Sequence, residues 1–356
     1  MEKGELRMKL LAVESTCDET AAAIVTDQLE VLASVVASQE ELHQQFGGVV
    51  PEIAARAHVE RILPVIDRTL KRAKLQLEDL DAIAVATTPG LAGSLVVGLM
   101  AAKALCMATG KPLVAVNHLH AHIYACKVAS GREVFPCIGL IISGGHSSLY
   151  HCKTAVDFEP LGGTIDDAAG EAFDKVASML GLPYPGGPSI SKAAEHGNAR
   201  AHRFPRALLK DKSRLDFSFS GLKTAVRYLI AGPGKVDFQN CLLSTSQVAD
   251  IAASFQEAVV DCLVGKAELA IERTGLTTLC VGGGVAANRR FRERIAEMAR
   301  GRGVTLEIAP LELCTDNAVM GAIAFEKLKA GCVESLELDI QPGLVRHVRQ
   351  AVGTTK

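Results

Sequence analysis

The sequence predicts an α/β protein built from two similar halves with a cleft between them. Its 356 residues are 48% hydrophobic and 22% charged, the composition of a packed globular chain long enough for about two domains. Apolar runs and helical patterns follow the order βββαβαβ up to Val116, and a strand, polar turn, strand unit begins again at Pro136. Because ligands of α/β sheets bind where strand ends open into a crevice, we expect the functional site in the cleft.

The first half is expected to begin with three antiparallel strands. Apolar runs at 10–13, 20–25 and 31–36 predict these strands, and a polar turn at 14–19 separates the first two. Helical spacing then predicts a helix over 52–73, and its expected buried stripe is Ile53, Ala57, Ile62, Val65, Ile66 and Leu70. A buried strand at 82–86, an Ala-rich helix at 93–109 and a strand at 113–116 complete this half.

The second half repeats the opening unit with strands at 136–142 and 148–152 around a turn at 143–147. Further along, the pattern predicts helices at 166–180, 245–273 and 288–300 and a strand at 278–281. Between 186 and 234 the periodicity weakens and basic residues accumulate, which predicts a loop-rich insertion. We expect lobes at 8–134 and 135–315, and a C-terminal helix and tail at 316–356 that packs back toward the first lobe.

Charge and composition exclude several classes of protein. With 38 Lys+Arg against 40 Asp+Glu, no global positive field draws nucleic acid, so any such partner must meet local basic patches. The most apolar stretch, 82–107, is interrupted by proline, glycine and lysine, so no membrane span is expected. The first nine residues alternate charges and contain no signal-peptide core. Ten scattered cysteines without a C-x-x-C pair are typical of a reducing cytoplasm.

A cluster of histidines is the first candidate for chemistry. Asn117 is a favourable N-cap for a helix that holds His118, His120 and His122. On a helix, residues four apart share a face, so His118 and His122 can bind one metal ion while His120 points elsewhere. The alternative is that backbone groups or water satisfy these histidines. An open site needs a further hard ligand, for which Asp316 is a candidate, although an acidic residue opening a helix is also a common N-cap.

Two glycine turns are candidates for binding a nucleotide. Gly282-Gly283-Gly284 joins a strand to a helix and lets a flat or anionic group approach the backbone. The turn that contains Gly144 and Gly145 offers free backbone donors of the kind that bind phosphate or carboxylate. Each is also compatible with an ordinary structural turn. Their pairing in the second half of the chain favours one shared ligand.

An acidic segment and a rigid turn complete the candidate pocket. Asp167, Glu171 and Asp174 have spacings that place them on one face of the predicted helix, where a solvated acidic surface is the usual explanation. The turn 184–188, with sequence YPGGP, follows directly. Together they predict one wall of a pocket that accepts hydroxyl groups.

These motifs, taken in order, resemble the family of tRNA adenosine-37 threonylcarbamoyltransferases (TsaD), of the bacterial type. Beside the His118/His122 pair, the resemblance rests on the segments ESTCDET at 14–20, GGVVPEIAARAH at 47–58, SGGHS at 143–147, DDAAGEAFDK at 166–175, YPGGP at 184–188, FSFSGLKT at 217–224, GGGVAANR at 282–289 and CTDN at 314–317. It implies the actin/Hsp70/sugar-kinase fold, whose two halves are each ribonuclease-H-like.

The resemblance also implies which residues form the site. His118, His122 and Asp316 fall on the family's metal ligands, so one divalent ion is expected, Fe²⁺ or Zn²⁺. The substrate-contacting positions of the family fall on Ile141, Ile142, Ser143, Gly144, Gly145, Asp174, Gly187 and Asn288. The departures are mild: Ala287 and Ser147 stand at positions that vary in the family, and His120 is not at a ligand position.

The implied reaction transfers the threonylcarbamoyl group from threonylcarbamoyl-AMP to N6 of adenosine 37 in tRNAs that read codons beginning with adenine, giving t6A and AMP. Glu14 and Asp18 are candidates for a catalytic base, with a structural role in the turn as the alternative. The rival interpretations are a metallopeptidase, a kinase or ATPase of the same fold, and a non-catalytic scaffold. Leu119 argues against the first, because H-E-x-x-H requires glutamate there.

The partners implied are the anticodon loop of tRNA, a smaller paralogue of the same fold (TsaB) and an ATPase (TsaE). We expect the paralogue to contact the helix at 52–70, although a core helix explains its pattern equally. Two basic runs are candidates for the RNA surface: Arg200, Arg203, Arg206, Lys210, Lys212 and Arg214 form the first, and Arg289, Arg290, Arg292 and Arg294 the second. The first run has fewer acidic neighbours, so it is the predicted tRNA surface.

Overall fold

Two five-stranded mixed sheets form the two lobes of the protein. The structure is a computed structural model that describes residues 7–232 and 243–343. The strands of the first sheet are β1 (Lys9–Glu14), β2 (Glu19–Thr26), β3 (Val31–Ser38), β4 (Ala82–Thr88) and β5 (Leu113–Asn117). Those of the second are β6 (Cys137–Ile142), β7 (Ser147–Thr154), β8 (Asp157–Gly163), β9 (Thr278–Gly282) and β10 (Thr305–Ile308).

The two sheets have the same topology. The first has the order β3-β2-β1-β4-β5, and the second, β8-β7-β6-β9-β10, matches it strand for strand. In each sheet the first three strands in sequence pair antiparallel and the other two add in parallel. The predicted α/β fold of two similar halves is therefore confirmed, and the two opening hairpins occupy equivalent positions.

Helices cover these sheets and join the lobes. They are α1 (Glu40–Gln44), α2 (Pro51–Ala73), α3 (Ala92–Thr109), α4 (His118–Ser130), α5 (Ala169–Met179), α6 (Gly186–Ala194), α7 (Ser220–Ala231), α8 (Thr245–Thr274), α9 (Arg289–Arg302), α10 (Leu311–Cys314) and α11 (Ala324–Lys329). Short 3₁₀ helices lie at Leu77–Asp79, Gly284–Ala287 and Val319–Ile323. α2 and α3 pack against the first sheet, whereas α4 contacts strands of both sheets and so lies at the junction of the lobes.

The structure differs from the sequence prediction mainly in the second lobe. α5 begins at Ala169 rather than at Asp166, because the Asp166 carboxylate accepts hydrogen bonds from the amide of Phe219 and the hydroxyls of Ser218 and Ser220. It therefore fixes the start of α7 instead of opening α5. The described part of the predicted insertion, 186–232, contains α6 and α7 beside its loops, and β8 and β10 have no counterparts among the predicted strands.

α3 is the one helix among the described residues that is long and apolar enough to span a membrane by length and composition. It packs against α2 and β4. Leu99 and Ala102 belong to the hydrophobic cluster of the first lobe, whereas Val96 and Met100 are exposed. The membrane criterion is therefore met here by a helix that covers the first sheet with one of its faces.

The segment after Asp316 lies against the first lobe. The 3₁₀ helix at 319–323 contacts β1 and β2, and Gly321 lies so close to Ala12 that a Cβ at position 321 would be 2.7 Å from the Ala12 side chain. Farther on, the amide of Glu334 donates to Leu113 and the amide of Gly90 donates to the carbonyl of Pro342. These contacts hold the segment that follows Asp316 against the first lobe, and Asp316 itself lines the cleft.

Candidate active site and metal centre

The start of α4 presents two histidines on one face. β5 ends at Asn117, whose side chain accepts from the amides of Leu119 and His120 and so caps the helix as predicted. One turn apart, the rings of His118 and His122 meet edge to face with their centroids 4.6 Å apart. His120 points to the second lobe, where its ring stacks on Phe158 at 4.0 Å. The helical spacing thus separates the pair from the third histidine.

Asp316 completes a three-residue cluster. Its Oδ1 lies 3.4 Å from Nε2 of His118 and 3.2 Å from Nε2 of His122. Among the described residues these three side chains form the group with metal-ligand character, and their ligand atoms all lie within 4.8 Å of one another. Ions bound at about 2.0–2.1 Å in tetrahedral geometry hold their donors roughly 3.4 Å apart. The spacing and the two-imidazole, one-carboxylate donor set therefore fit one divalent ion.

His118 and the carboxylate of Asp316 stabilise each other's charged forms. Burial opposes protonation of His118, but the carboxylates of Asp316 and Glu14 outweigh it and raise the pKa of His118 to about 9. Burial alone would raise the pKa of Asp316, yet His118 and His122 hold it well below its usual range. The negative carboxylate is thus kept charged inside the protein by the imidazoles beside it.

A carboxylate also stands behind the first histidine. Oε2 of Glu14, at the end of β1, lies 3.2 Å from Nδ1 of His118, and the Thr16 amide donates to the other oxygen of Glu14 at 2.7 Å. The Thr16 hydroxyl is also 3.2 Å from Nδ1. Nδ1 of His122, by contrast, has no hydrogen-bond partner in the described part of the chain. A carboxylate behind an imidazole is the arrangement that orients metal-binding histidines.

The cluster opens into a cleft of about 1110 Å³ between the lobes. The acidic side chains that line this cleft are Asp18, Glu19, Glu171, Asp174 and Asp316. Burial, together with the charges of Asp18 and Asp316, raises the pKa of Glu19 to about 10. Burial raises the pKa of Asp174 in the second lobe as well. Burial at the cleft therefore favours the neutral form of carboxyl groups on both of its walls.

The two glycine turns line the same cleft. Ser143, Gly144, Gly145 and Gly284 all contribute to its wall. Gly283 has a φ of +96°, and a Cβ there would lie 2.5 Å from the Ile142 carbonyl. The turn 282–284 therefore packs directly on the start of the turn that contains Gly144 and Gly145. At Gly144 and Gly145 a Cβ would meet nothing within 4 Å. Their backbone is therefore open to a bound group.

Of the other predicted substrate residues, Asp174 lines the cleft, whereas Ile141, Ile142, Gly187 and Asn288 are not part of the described lining. Ile141 and Ile142 are buried in β6 directly before the first turn, and Gly187 lies in the first turn of α6. The Asp174 carboxylate lines the cleft and accepts from the amide of Gly186 at 2.7 Å. Asn288 caps α9 through its Oδ1 and donates to Gln256 through its amide nitrogen.

Several residues of this site are absent from the sequence prediction. Glu19 lines the cleft beside Asp18, and its place in the same ESTCDET turn is the signal that identifies it. The cleft also contains Lys175 and Lys223, which both pair with Asp167. That contact joins α5 to α7, and no sequence spacing predicts it. His146 lines the cleft too, and burial, with the charge of His118, lowers its pKa to about 4.

The basic runs are largely engaged in internal contacts. In the second run, Arg290 and Arg294 pair with Glu257. In the first, Arg206 donates to Asp261 at 3.0 and 3.1 Å and Arg214 pairs with Asp216. The side chains of the first run that are exposed and have no carboxylate partner among the described residues are those of Arg200, Arg203, Lys210 and Lys212.

Comparisons with known proteins agree with this geometry. The family model described as TsaD, tRNA N6-adenosine threonylcarbamoyltransferase, matches residues 30–323. A relative of that name from Rhodopirellula baltica is 58% identical over 348 residues, which are 95% of this chain and 97% of the relative. Another from Bacillus subtilis is 48% identical over 344 residues, 95% of each chain.

Solved structures support the fold. Full-length HypF in a phosphate- and nucleotide-bound form matches with a TM-score of 0.61 and 16% identity over 92% of this chain and 47% of that one. Component A of the Acidaminococcus fermentans (R)-2-hydroxyglutaryl-CoA dehydratase matches with a TM-score of 0.51 and 17% identity over 90% of this chain and 99% of that one. The fold is thus the actin/Hsp70/sugar-kinase fold. On the strength of the family model and of relatives that align over nearly their whole length, the chain belongs to the TsaD family of tRNA N6-adenosine threonylcarbamoyltransferases.

Proposed function

We propose that the cleft transfers a threonylcarbamoyl group from threonylcarbamoyl-AMP to N6 of adenosine 37 in tRNA, giving t6A and AMP, in the cytoplasm. The tRNAs are those that read codons beginning with adenine. The observation that carries the proposal is the convergence of His118, His122 and Asp316 at a cleft whose lining also includes the glycine turn 143–145. The site thus combines a metal centre with a surface for an anionic nucleotide, as an adenylate donor requires.

The adenylate is placed by the second lobe. Open backbone amides at Gly144 and Gly145 suit its phosphate, because no side chain competes for that space. Asp174 and the first turn of α6 at Gly187 suit the hydroxyls of the ribose, and the turn at 284–288 suits the flat adenine. This arrangement directs the threonylcarbamoyl end toward His118 and His122.

The metal ion is Fe²⁺ or Zn²⁺ in this proposal, held by His118, His122 and Asp316. When bound, it supplies Lewis acidity and a template for oxygen atoms of the threonylcarbamoyl group. Glu14 orients His118 through Nδ1 and so keeps Nε2 directed at the site. That contact and the Thr16 amide occupy both oxygens of Glu14, which leaves Asp18 as the better candidate for a base.

The transfer itself depends on positioning. N6 of adenine is a poor nucleophile because its lone pair is delocalised into the ring, so the rate must come from alignment and charge stabilisation. The N6–carbon bond forms as the bond from that carbon to the phosphate oxygen breaks and AMP leaves. In this proposal the N6 proton passes to Asp18, and Glu19 lies beside Asp18 as a second carboxyl group of the cleft.

The proposal is tested by product analysis. The metal-loaded protein is incubated with threonylcarbamoyl-AMP, an adenosine-37 tRNA and the proposed partners, and the digested RNA is examined by mass spectrometry for the threonylcarbamoyl nucleoside. A matched tRNA with guanosine at position 37 is the control. Formation of the nucleoside from the first tRNA alone supports the proposal. Release of peptides from a glycoprotein, or ATP hydrolysis without transfer, would favour the metallopeptidase or the ATPase instead.

The tRNA surface is proposed at the exposed part of the first basic run. Arg203 and Lys210 are exposed and have no carboxylate partner in the described chain, whereas Arg206 is held by Asp261. Replacing Arg203 and Lys210 by glutamine should weaken tRNA binding and reduce its dependence on salt, with adenylate binding unchanged. Arg206→Gln is the matched variant, and its main effect should be on stability. Equal salt dependence in the double variant and the parent would remove this surface from consideration.

The smaller paralogue, TsaB, is proposed to bind the outer faces of α2 and α3, and TsaE to act on the assembled complex. Val59 and Leu63 on α2, and Val96 and Met100 on α3, are apolar and between 43% and 63% exposed. Such a cluster is typical of a protein interface. Leu63→Ser should weaken association and lower multiple-turnover activity, with the metal retained. Full multiple-turnover activity of the isolated chain would contradict the dependence on partners.

A further inference from the structure

In the polar turn between β1 and β2, the side chains of Glu14, Ser15 and Thr16 contact the helices around the turn, whereas those of Asp18 and Glu19 face the cleft. Glu14 and Thr16 contact His118, and the Ser15 hydroxyl donates to the Ser94 carbonyl of α3 at 3.0 Å. The carboxyl groups of Asp18 and Glu19 extend instead into the cleft. These two carboxyl groups hydrogen-bond each other, and Asp18 also bonds the Cys17 thiol, so their common direction depends on how the backbone on both sides of them is held.

His58, on the inner face of α2, bridges that backbone. Its Nε2 lies 3.0 Å from the carbonyl oxygen of Cys17 and its Nδ1 lies 2.8 Å from the hydroxyl of Thr20. A carbonyl only accepts, so Nε2 carries the proton and donates to it. In the neutral ring Nδ1 then accepts from the Thr20 hydroxyl. Burial lowers the pKa of His58, in agreement with a neutral ring.

α3 reinforces the same point. The Ser94 hydroxyl donates to the carbonyl of Cys17 at 3.2 Å, so one carbonyl receives a donor from each of the two helices. The residue before Asp18 and the residue after Glu19 are thus both fixed by groups outside the turn. His58 is fully buried, and neighbours on the same face of α2, such as Ile62 and Val65, pack through apolar contacts alone.

We propose that His58, acting through Cys17 and Thr20, is a positioning residue that directs the Asp18 and Glu19 carboxyl groups toward the substrate. The inference rests on the proposed function of the cleft. His58 touches no substrate, so it acts on the rate through geometry. A misplacement of about 1 Å at reacting groups costs on the order of a hundredfold in rate.

The chain offers a matched pair of variants. Thr20→Val removes the hydroxyl that His58 accepts from, with almost no change in volume. Thr69→Val is the matched change in α2. It also removes a buried hydroxyl, but that hydroxyl donates to the carbonyls of Ala22 and Val65 and does not contact the turn. We expect both to lower the melting temperature slightly and both to keep the parent's metal content. Only Thr20→Val should lower kcat, by about ten- to a hundredfold, with KM for the adenylate little changed.

Further variants separate positioning from folding. His58→Gln retains a donor and an acceptor and should keep more of kcat than His58→Leu. Carboxyl carbon shifts of Asp18 and Glu19, followed by NMR across pH, should differ from the parent in Thr20→Val and match it in Thr69→Val. The same shifts and the same kcat in both threonine variants would overturn the inference. The NMR comparison needs no transfer, so a parent that fails to make the nucleoside refutes the proposed function and leaves this test standing.

Discussion

The two hairpin turns at equivalent positions in the two lobes have opposite chemistry. The first, between β1 and β2, carries the carboxyl groups of Asp18 and Glu19 and is held by α2, α3 and α4. The second, between β6 and β7, spans residues 143–146, with open space at Gly144 and Gly145 and with His146 in the lining of the cleft. One architecture has thus been used once for a tightly fixed acidic turn and once for an open backbone turn.

The difference follows from what each turn contacts. Glycine at position 90 lies so close to the first turn that a Cβ there would be 2.6 Å from the Thr16 carbonyl. The second turn is approached by α5, where a Cβ at Gly170 would be 2.7 Å from the Ser143 carbonyl, but its opposite side faces the cleft. The first turn therefore presents carboxyl side chains to the cleft, whereas the second turn leaves open space beside its backbone.

The largest expected effect is the loss of metal binding when a metal ligand is replaced. These ligands are linked to the first turn through the contact between Glu14 and His118. His118→Ala, His122→Ala and Asp316→Ala should each lower metal affinity by more than about a hundredfold and abolish transfer, since each removes a donor from a three-residue site. His120→Ala is the control, because that ring stacks on Phe158 of the second lobe. Metal content measured by elemental analysis decides this. Unchanged metal in His118→Ala, or metal lost in His120→Ala, would contradict the helix-face assignment.

A smaller loss of metal affinity is expected when Glu14, which contacts His118 on the side away from the metal site, is changed. Glu14→Gln replaces the charged oxygen beside Nδ1 of His118 by an amide and should weaken metal binding about ten- to a hundredfold. Asp18→Asn, four residues later in the same turn, should leave metal affinity unchanged and lower kcat. Competition with a chelator measures the affinity. If the two variants bind metal equally, the division of the first turn into a metal-orienting and a catalytic part is wrong.

The folded protein should accept an added side chain in the second turn, at Gly144 or Gly145, but not at Gly90, which packs against the first turn. Gly144→Ala and Gly145→Ala add atoms where nothing lies within 4 Å, so the free energy of unfolding should stay near that of the parent. Affinity for a non-reactive adenylate analogue should fall by at least about tenfold, because the open backbone is then covered. Gly90→Ala should instead lower stability. Calorimetry of binding and thermal unfolding separate the outcomes, and unchanged affinity in both turn variants would place the ligand elsewhere.

The smallest effect is a pH dependence at His120, which faces the second lobe. Burial, with the charge of Lys327, lowers its pKa to about 4. The unfolded chain takes up this proton near the ordinary pKa of about 6.5, so the stability that depends on neutral His120 is lost as the pH falls from about 6.5 toward 4. His120→Phe, which retains an aromatic ring against Phe158, should lose less stability over that window. Parallel losses in parent and variant, measured by denaturant unfolding, would exclude His120 as the source.

Much of this arrangement is predictable from the sequence because it is local. Every strand except β8 and β10 follows from an apolar run, and the separation of His118 and His122 from His120 follows from the helical period. Asp316 is different, since it approaches from a segment almost 200 residues later and only the family resemblance indicates it as a ligand. The limits of the lobes and the roles of the individual substrate residues stay predictions.

What the sequence pattern misses is tertiary. Asp166 is placed in a helix by its acidic neighbours, yet its carboxylate fixes the start of α7, more than 50 residues away in sequence. Arg206 belongs to a run in which basic residues far outnumber acidic ones, but Asp261 of α8 pairs with it. His58 gives no local sign of its contact with Cys17 and Thr20. In each case the partner of a polar side chain is supplied by another element, and periodicity contains no information about it.

The glycines of α3 have a consequence for engineering. In the sequence, Gly93 and Gly98 look like interruptions of an apolar stretch. In the fold, a Cβ at position 93 would lie 2.9 Å from Ala55 of α2, and one at position 98 would collide with the Ser15 hydroxyl. Glycine to alanine changes in exposed helices usually stabilise by about 1 kcal/mol. Here they would force α3 away from α2 and from the acidic turn, so these two glycines have to be kept in any thermostabilised variant of this enzyme.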